Sequence, residues 1–566
     1  MREGDQTAQA GQVLEGISVE PQVLVIGGGW VGLKAAYELS QYYKVILVES
    51  GSDLGGRMPV QVIVSGEKEE LEHLLKKVME NGQIDILLET RLLDTSGMPG
   101  GFSIQLGKDG EIQERRIGAI VVAKEVLSTP LVEDYGIGPS AKNILTQSQI
   151  ESVLACPEEK ENLFGQEAKE VIFLVGLKQE GNPLMMERAM LCALEIQRME
   201  GCNASVITGN VKLASNGLEG IYRHSRENGV LYFKLKEPPR IEQDGDRLNI
   251  IFTDPVMYEE IVLKPDILVL EEELRPREED EEIARLLGID VGPGGFLQED
   301  NIHNLPVRSN RVGIYVVGSL RGPLGLRDGW TDVGNVVLEV RNLLGKGKRV
   351  LPKNKVKIHR GKCTTCLTCF RLCPHGAIYW DNRAVISPLA CEGCGICASE
   401  CPMDAIQILD YHDDQIKAEI LNGKQRLQLD DATPWIVAFC CQNSAYEAGQ
   451  TAISFNMPVP RGLQMVEVPC AGKIDIDYIM SSFEYGADGV LVLACHKDNC
   501  KSIKGNIYAE LRVDNTRNML DEIGLGRERV EFKTIASNMP VEFVQTVHRF
   551  ETRIKDLGPT PRSFLF

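Results

Sequence analysis

The sequence has no long apolar run. Its longest, Gly118–Ala123 and Val490–Ala494, are of strand length. A helix that crosses a membrane needs roughly 18 consecutive apolar residues. The opening MREGDQTAQAGQVLEG also lacks the apolar core of a signal peptide. These absences predict a cytoplasmic chain with no direct membrane span, held at a membrane only through partner subunits. Positive charge is scarce as well: 61 Lys and Arg stand against 81 Asp and Glu, a net charge of −20. Binding nucleic acid over the whole surface is excluded, because neutralising phosphates needs surplus cations. No Ser-His-Asp set or general acid–base pair is visible, so no catalytic side chain is assigned. With 43% hydrophobic and 25% charged residues, the composition excludes disorder as the main architecture. A length of 566 residues suggests about four domains.

Cysteine is the residue in excess, at sixteen. In a large chain without a secretion signal, that points to metal or redox chemistry rather than disulfides. Cys156, Cys192 and Cys202 stand alone and read as small buried apolar residues. The other thirteen lie between Cys363 and Cys500.

The cysteine-poor front alternates strand-like and helical patterns, the α/β signature. Val23–Ile26 reads as a strand, Gly27, Gly29 and Gly32 fit G-x-G-x-x-G, and Leu33–Leu39 reads as a helix. The strand Lys44–Val48 then ends at Glu49, 17 residues after Gly32. That is the context of a dinucleotide fingerprint. Gly27 makes the tight turn, Gly29 admits a pyrophosphate, and Gly32 permits close helix–strand packing. Glu49 would accept hydrogen bonds from ribose hydroxyls and disfavour a 2′-phosphate. A second α/β half is expected over about 165–270, without a second glycine fingerprint. Residues 271–282, EEELRPREEDEE, read as a solvated acidic segment.

Next come two runs of C-x-x-C-x-x-C-x-x-x-C-P: Cys363, Cys366, Cys369 and Cys373, then Cys391, Cys394, Cys397 and Cys401. They are 28 residues apart. The spacing is specific for two [4Fe–4S] clusters, with the fourth cysteine of each run ligating the other cluster. One cluster would take Cys363, Cys366, Cys369 and Cys401. The other would take Cys391, Cys394, Cys397 and Cys373. A structural zinc site is the bland alternative. Just upstream, Arg341–Lys362 holds nine Lys and Arg and no acid. It reads as a solvated linker or as a docking strip for an acidic partner.

The back carries three strand-like runs that end in cysteine: Trp435–Phe439 before Cys440 and Cys441, Val466–Val468 before Cys470, and Gly489–Ala494 before Cys495 and Cys500. Ligands of open α/β sheets gather at that strand edge. A four-thiolate site is therefore expected from Cys441, Cys470, Cys495 and Cys500, with Cys440 as a fifth candidate. Zinc is again the alternative to iron and sulfide.

The glycine fingerprint followed by Gly55-Gly56-Arg57-Met58 resembles two-dinucleotide-binding-domain FAD flavoproteins. Gly313–Gly318 resembles their returning strand, with Ser319 where the family usually has Asp. Thr331–Leu344 would be the helix that follows. The resemblance implies FAD held by Gly27, Gly29, Gly32, Glu49, Gly55, Gly56, Arg57, Gly318 and Ser319. More closely, residues 21–350 resemble the A-subunit of heterodisulfide reductase, lacking that family's inserted ferredoxin and mid-domain cysteine cluster. Residues 434–513 resemble the delta subunit of methyl-viologen-reducing hydrogenase, a [2Fe–2S] protein. Ser444 stands where that family has a second cysteine.

The expected fold is thus α/β multidomain. A flexible 1–20 precedes a flavoprotein over 21–350, a 2[4Fe–4S] ferredoxin domain over 351–412, and an α/β iron–sulfur domain over 430–566. Such a fusion is similar to the B-subunit of quinone-interacting membrane-bound oxidoreductase complexes. The resemblance implies electron transfer between FAD and the clusters, linking quinol to adenylylsulfate reductase in sulfur metabolism. Implied partners are a membrane quinone-reactive subunit, a second flavoprotein and an electron donor or acceptor protein. The alternatives are an NAD(P)H-oxidising iron–sulfur flavoenzyme and a bifurcating subunit linked to hydrogenase or formate dehydrogenase.

Overall fold

A computed structural model describes residues 14–56, 62, 68–137, 143–165, 169–244, 247–298, 301, 306–352, 355–430 and 433–561. Arg57 and Met58 lie outside the described residues, as does Lys353 of the basic run.

Runs of β-branched residues build three parallel sheets, each buried on both faces; the third is covered by helices on both, while the first two each have one face packed on a three-stranded antiparallel sheet. The first has the strand order Ile314–Val316, Ala119–Val122, Gln22–Ile26, Lys44–Val48, Ile84–Leu87. Val23, Leu24 and Val25 at its centre have no exposed surface. Each such side chain contributes roughly 1.5–3 kcal/mol on burial. The second has the order Ile144–Thr146, Ile267–Leu270, Glu170–Val175, Asn203–Thr208, Leu231–Lys234. This half begins before the expected residue 165, because Ile144–Thr146 pairs in register with Leu268–Leu270. An antiparallel ladder, Leu127–Pro130 on Glu272–Arg275, joins the two halves.

The first residues depart from the expected flexible lead. Leu14–Ser18 pairs antiparallel with Lys348–Pro352 at the far end of the flavoprotein, and Val19 beside it is buried. The basic run is divided accordingly. Arg341 stacks on the Tyr42 ring at 4.3 Å, Lys348 and Arg349 lie in that ladder, and Lys355 packs beside Gly393.

The ferredoxin region repeats one unit twice. Val356–Ile358 pairs with Ile406–Ile408, and Ile378–Trp380 with Ala384–Ile386, each antiparallel. The C-terminal sheet has the order Leu463–Val468, Ile436–Cys441, Gly489–Ala494, Val530–Thr534, all parallel. Its central strands are fully buried. Among the described residues no helix is long and apolar enough to cross a membrane.

Candidate functional site

The glycine fingerprint folds as a strand, a tight turn and a helix, Trp30–Ser40. Gly27 has φ +114, a conformation that side chains rarely adopt. A Cβ on Gly32 would stand 1.9 Å from the Gly27 carbonyl, so only glycine lets the helix press on the turn. Glu49 ends the next strand, and its carboxylate accepts the Gly28 amide at 2.6 Å and the Gly51 amide at 2.8 Å. The Gly55 amide donates to the Gly28 carbonyl at 2.8 Å, which docks Gly55 and Gly56 on the turn.

A cavity of about 480 Å³ opens between the two halves, lined by Trp30, Val31, Glu125, Arg188, Ser319 and Leu326. The helix after the returning strand runs Leu326–Leu344, five residues longer at its start than expected, because Gly329 packs against Val31. Its N-terminus therefore lies in the cavity wall, where the helix dipole favours negative charge. Asp332 on this helix, 2% exposed, accepts from the Gly318 amide at 3.1 Å and from Arg321 at 3.0 Å. Ser319, at the family's Asp position, accepts the Val126 amide at 3.3 Å. On the opposite wall, Arg188 joins Glu151 at 2.6 Å and Glu272 at 3.1 Å. A cradle closed to any Cβ, next to a roomy cavity, fits a dinucleotide whose ring system extends between the halves.

The second half is built differently at the equivalent turn. Its strand Glu170–Val175 leads into Gly176, whose φ is +65. The amides of Gly176, Leu177 and Lys178 converge on Glu271 at 2.6, 3.2 and 3.0 Å. The Tyr135 hydroxyl donates to the same carboxylate at 2.6 Å, and its own pKa is pushed up by burial and by Glu271. A turn of this kind binds pyrophosphate when its amides are open. Here the chain's own carboxylate fills it. The acidic segment is thus not wholly solvated: Glu271, Glu272 and Asp280 are 3%, 2% and 0% exposed.

The eight ferredoxin cysteines line two cavities. Cys363, Cys366, Cys369 and Cys401 surround one, and Cys373, Cys391, Cys394 and Cys397 the other. Each fourth cysteine crosses to the partner run. The duplicated Ala-Ile pairs explain part of this, since the Ala377 amide donates to Cys373 Sγ and the Ala405 amide to Cys401 Sγ, both at 3.3 Å. The cavities differ in depth. Burial pushes the Cys394 thiol up to about 12, whereas Cys366 is exposed and Thr368 holds it below the usual thiol range.

At the C-terminal sheet edge, Cys441, Cys470, Cys500 and Cys495 form a closed ring of thiol–thiol contacts, with Cys441 and Cys495 at 3.6 Å. Hydrogen bonds from Cys441 and Cys500 hold Cys495 far below the usual thiol range. Gly505 admits the ring, since a Cβ there would stand 2.2 Å from Cys470 Sγ. Ser444, 2% exposed, lies with its hydroxyl against the Cys441 and Cys495 thiols. Four buried, convergent free thiols are a donor set that fits a bound inorganic centre. Cys440 departs from the expectation. Strand alternation sends it to the opposite face, among Ala438, Ala448 and Phe543, while Cys441 shares a core with Cys470 and Cys495. His496 also points away, with Nε2 3.5 Å from Met539 Sδ. Of the three lone cysteines, Cys192 and Cys202 are buried and Cys156 is half-buried.

The ring abuts the second ferredoxin cavity. A Cβ on Gly472 would stand 2.5 Å from Ile396, and one on Gly395 would stand 2.8 Å from Lys473, so paired glycines let the two cysteine loops touch. Arg512 clamps them, donating to Gly472 O at 2.9 Å, Ile474 O at 2.7 Å and Glu400 at 3.1 Å. The Cys394 thiol is hydrogen-bonded to Ser502, two residues past Cys500. Asn301 of the flavoprotein donates to Cys500 O at 2.8 Å.

Comparison with known proteins agrees with this geometry. Residues 436–558 match the family described as methyl-viologen-reducing hydrogenase, delta subunit. Residues 25–74 match an NAD(P)-binding Rossmann-like domain, and 356–379 and 384–407 each match a 4Fe–4S binding domain. The ferredoxin:CoB-CoM heterodisulfide reductase A-subunit of Methanosarcina mazei is 23% identical over 95% of this chain and 80% of its own length. The iron-sulfur D-subunit of the F420-non-reducing hydrogenase vhu of Methanocaldococcus jannaschii is 37% identical over 23% of this chain and 96% of its own. Among solved structures, Lactococcus lactis thioredoxin reductase is 18% identical, covering 57% of this chain and 99% of that one, with a TM-score of 0.37. Ahead of residue 436 stand a flavoprotein region and twin ferredoxin motifs similar to the heterodisulfide reductase A-subunit, and through residues 436–558 the chain belongs to the methyl-viologen-reducing hydrogenase delta-subunit family.

Proposed function

We propose that the chain is an electron-transfer subunit of a heterodisulfide-reductase-like or quinone-interacting oxidoreductase complex. The observation that carries the reading is the contact between the second ferredoxin cavity and the C-terminal thiol ring, joined by Gly395, Gly472 and Arg512. A bound FAD exchanges electrons in pairs and iron–sulfur clusters exchange them singly, which is the chemistry these groups supply. The chain's own residues hold and separate them. Gly27, Gly29, Gly32, Glu49, Gly55, Gly56 and Ser319 would hold FAD, and the helix starting at Leu326 would favour negative charge on its ring. Cys363, Cys366, Cys369 and Cys401 would hold one [4Fe–4S] cluster, and Cys373, Cys391, Cys394 and Cys397 the other. Cys441, Cys470, Cys495 and Cys500 would hold a [2Fe–2S] cluster.

Glu271 weighs against an NAD(P)H-oxidising enzyme, because it occupies the amides a second dinucleotide would need. In this reading the partners are a membrane quinone-reactive subunit and a second flavoprotein, with adenylylsulfate reductase as acceptor. The test is anaerobic purification of the native complex in mild detergent. Co-purification of a quinone-reactive membrane subunit supports this reading. Hydrogenase or formate dehydrogenase subunits in its place would support a bifurcating complex. A chain that runs alone and whose flavin is bleached by NADH would overturn both.

A further inference from the structure

The three cysteine sites differ in how they meet solvent. The thiol ring is buried, and the second ferredoxin cavity is covered by the Lys473 and Ser502 loops. The first ferredoxin cavity meets solvent through one of its cysteines. Cys366 is the exposed one of the sixteen cysteines. Beside it stand large apolar side chains left exposed by the described residues: Phe370 at 48% exposure, Trp380 at 50% and Met403 at 44%. Phe370 follows Cys369 on the short helix, Met403 lines the cavity wall, and Trp380 ends a strand of the hairpin beside Cys363.

The charge on this face is opposite to that of the chain. Arg371 donates to Cys366 O at 3.2 Å, and Arg383 to Arg360 O at 2.9 Å. Arg360 and Arg383 line one groove with Cys363. All three are exposed. Among the described residues, none has a carboxylate within ion-pair distance. Asp404, the nearby acid on the other run, is taken by Lys362 at 3.0 Å, and Asp381 is the carboxylate left in the groove. A basic rim round an apolar centre, on a chain of net charge −20, presents an acidic protein with one attractive face.

We propose that the outer face of the first ferredoxin cavity is the docking port for an acidic electron-carrier protein, recognised by Arg360, Arg371 and Arg383 around Phe370 and Trp380. The contact is small and transient, as electron-transfer encounters are, and salt weakens it. The proposal rests on the electron-transfer reading above, and its test separates the two.

The test uses the full chain, reconstituted anaerobically, and a reduced acidic two-cluster ferredoxin as probe. Stopped-flow second-order rates are recorded from low to high salt. The wild-type rate is expected to fall about tenfold as salt screens the contact. Joint Arg360→Glu, Arg371→Glu and Arg383→Glu substitution is expected to lower the low-salt rate about tenfold and remove the salt dependence. Arg223→Glu, a single charge reversal on the second half, is expected to leave both unchanged. If the triple reversal lowers iron content, Arg→Gln at the same positions is read instead, with a smaller loss in the same direction. Unchanged rates and salt dependence in the triple variant would overturn the port. So would a dimer in sedimentation that the reversal dissolves, because the occupant would then be a second copy. A wild-type chain that takes up no iron would overturn the electron-transfer reading itself.

Discussion

The carboxylate of Glu271 receives the Gly176 amide at 2.6 Å, closing the turn where the second α/β half would hold a nucleotide phosphate. Two more amides and the Tyr135 hydroxyl complete its shell. Hydrogen bonds to a charged group contribute about 1.5–3 kcal/mol each, and they are not additive. Glu271→Ala is therefore expected to destabilise the chain by about 3 kcal/mol, read by urea unfolding. Glu271→Gln, which keeps one acceptor oxygen, should lose less. Equal stability of all three would remove Glu271 from the turn.

The cysteine pair at the end of Ile436–Cys441 makes a sharper test, because neighbours in one strand face opposite ways. Cys441→Ser is expected to remove the iron of the C-terminal site and its EPR signal while leaving the two ferredoxin signals. Cys440→Ser is expected to keep all three signals. Burying a hydroxyl among Ala438, Ala448 and Phe543 should instead cost about 1–3 kcal/mol of stability. Loss of the C-terminal iron in Cys440→Ser would contradict the placement.

Gly32→Ala tests the flavin cradle. The new Cβ would stand 1.9 Å from a backbone carbonyl that cannot rotate away. The expected outcome is a chain with under about a tenth of the wild-type flavin absorbance and a lowered Tm. Gly51→Ala, where a Cβ would meet Glu49 Oε1 at an ordinary 3.4 Å, should keep most of the flavin. Full flavin in Gly32→Ala would rule out this cradle.

A pH dependence follows from Asp413, which ties the helix after the ferredoxin to Lys473 beside the thiol ring. Burial alone would raise its pKa, but hydrogen bonds from Lys473, Tyr478 and Gln407 outweigh burial and hold it at about 2. The folded value lies below the unfolded one, near 3.9. The stabilisation is therefore complete above about pH 4 and is lost as pH falls through about 2. The stability gap between wild type and Asp413→Asn should shrink over that window in acid unfolding. A gap that stays constant would show that the carboxylate is not held this way.

Much of this was legible in the residues themselves. The 28-residue repeat implied crossed ligand sets, and both cavities are lined accordingly. The glycine fingerprint implied its strand, turn and helix. What stayed hidden was long-range. Glu271 looked solvated within an acidic run, because its partners lie some 95 residues upstream. Cys440 and Cys441 are equivalent in composition, and only strand alternation separates them. Leu14–Ser18 reads as part of a flexible lead until its partner, Lys348–Pro352, is in place. The hydrophobic pattern marks each element, whereas loop-to-loop contacts such as Gly395 with Lys473 carry no local signal.

The most direct measurement is the cofactor content of the anaerobically reconstituted chain, by metal analysis, flavin absorbance and EPR after graded reduction. The expected result is about one FAD and about ten iron atoms per chain, with two [4Fe–4S] signals and one [2Fe–2S] signal. Near-stoichiometric zinc with little iron, or flavin bleached rapidly by NADH alone, would contradict it.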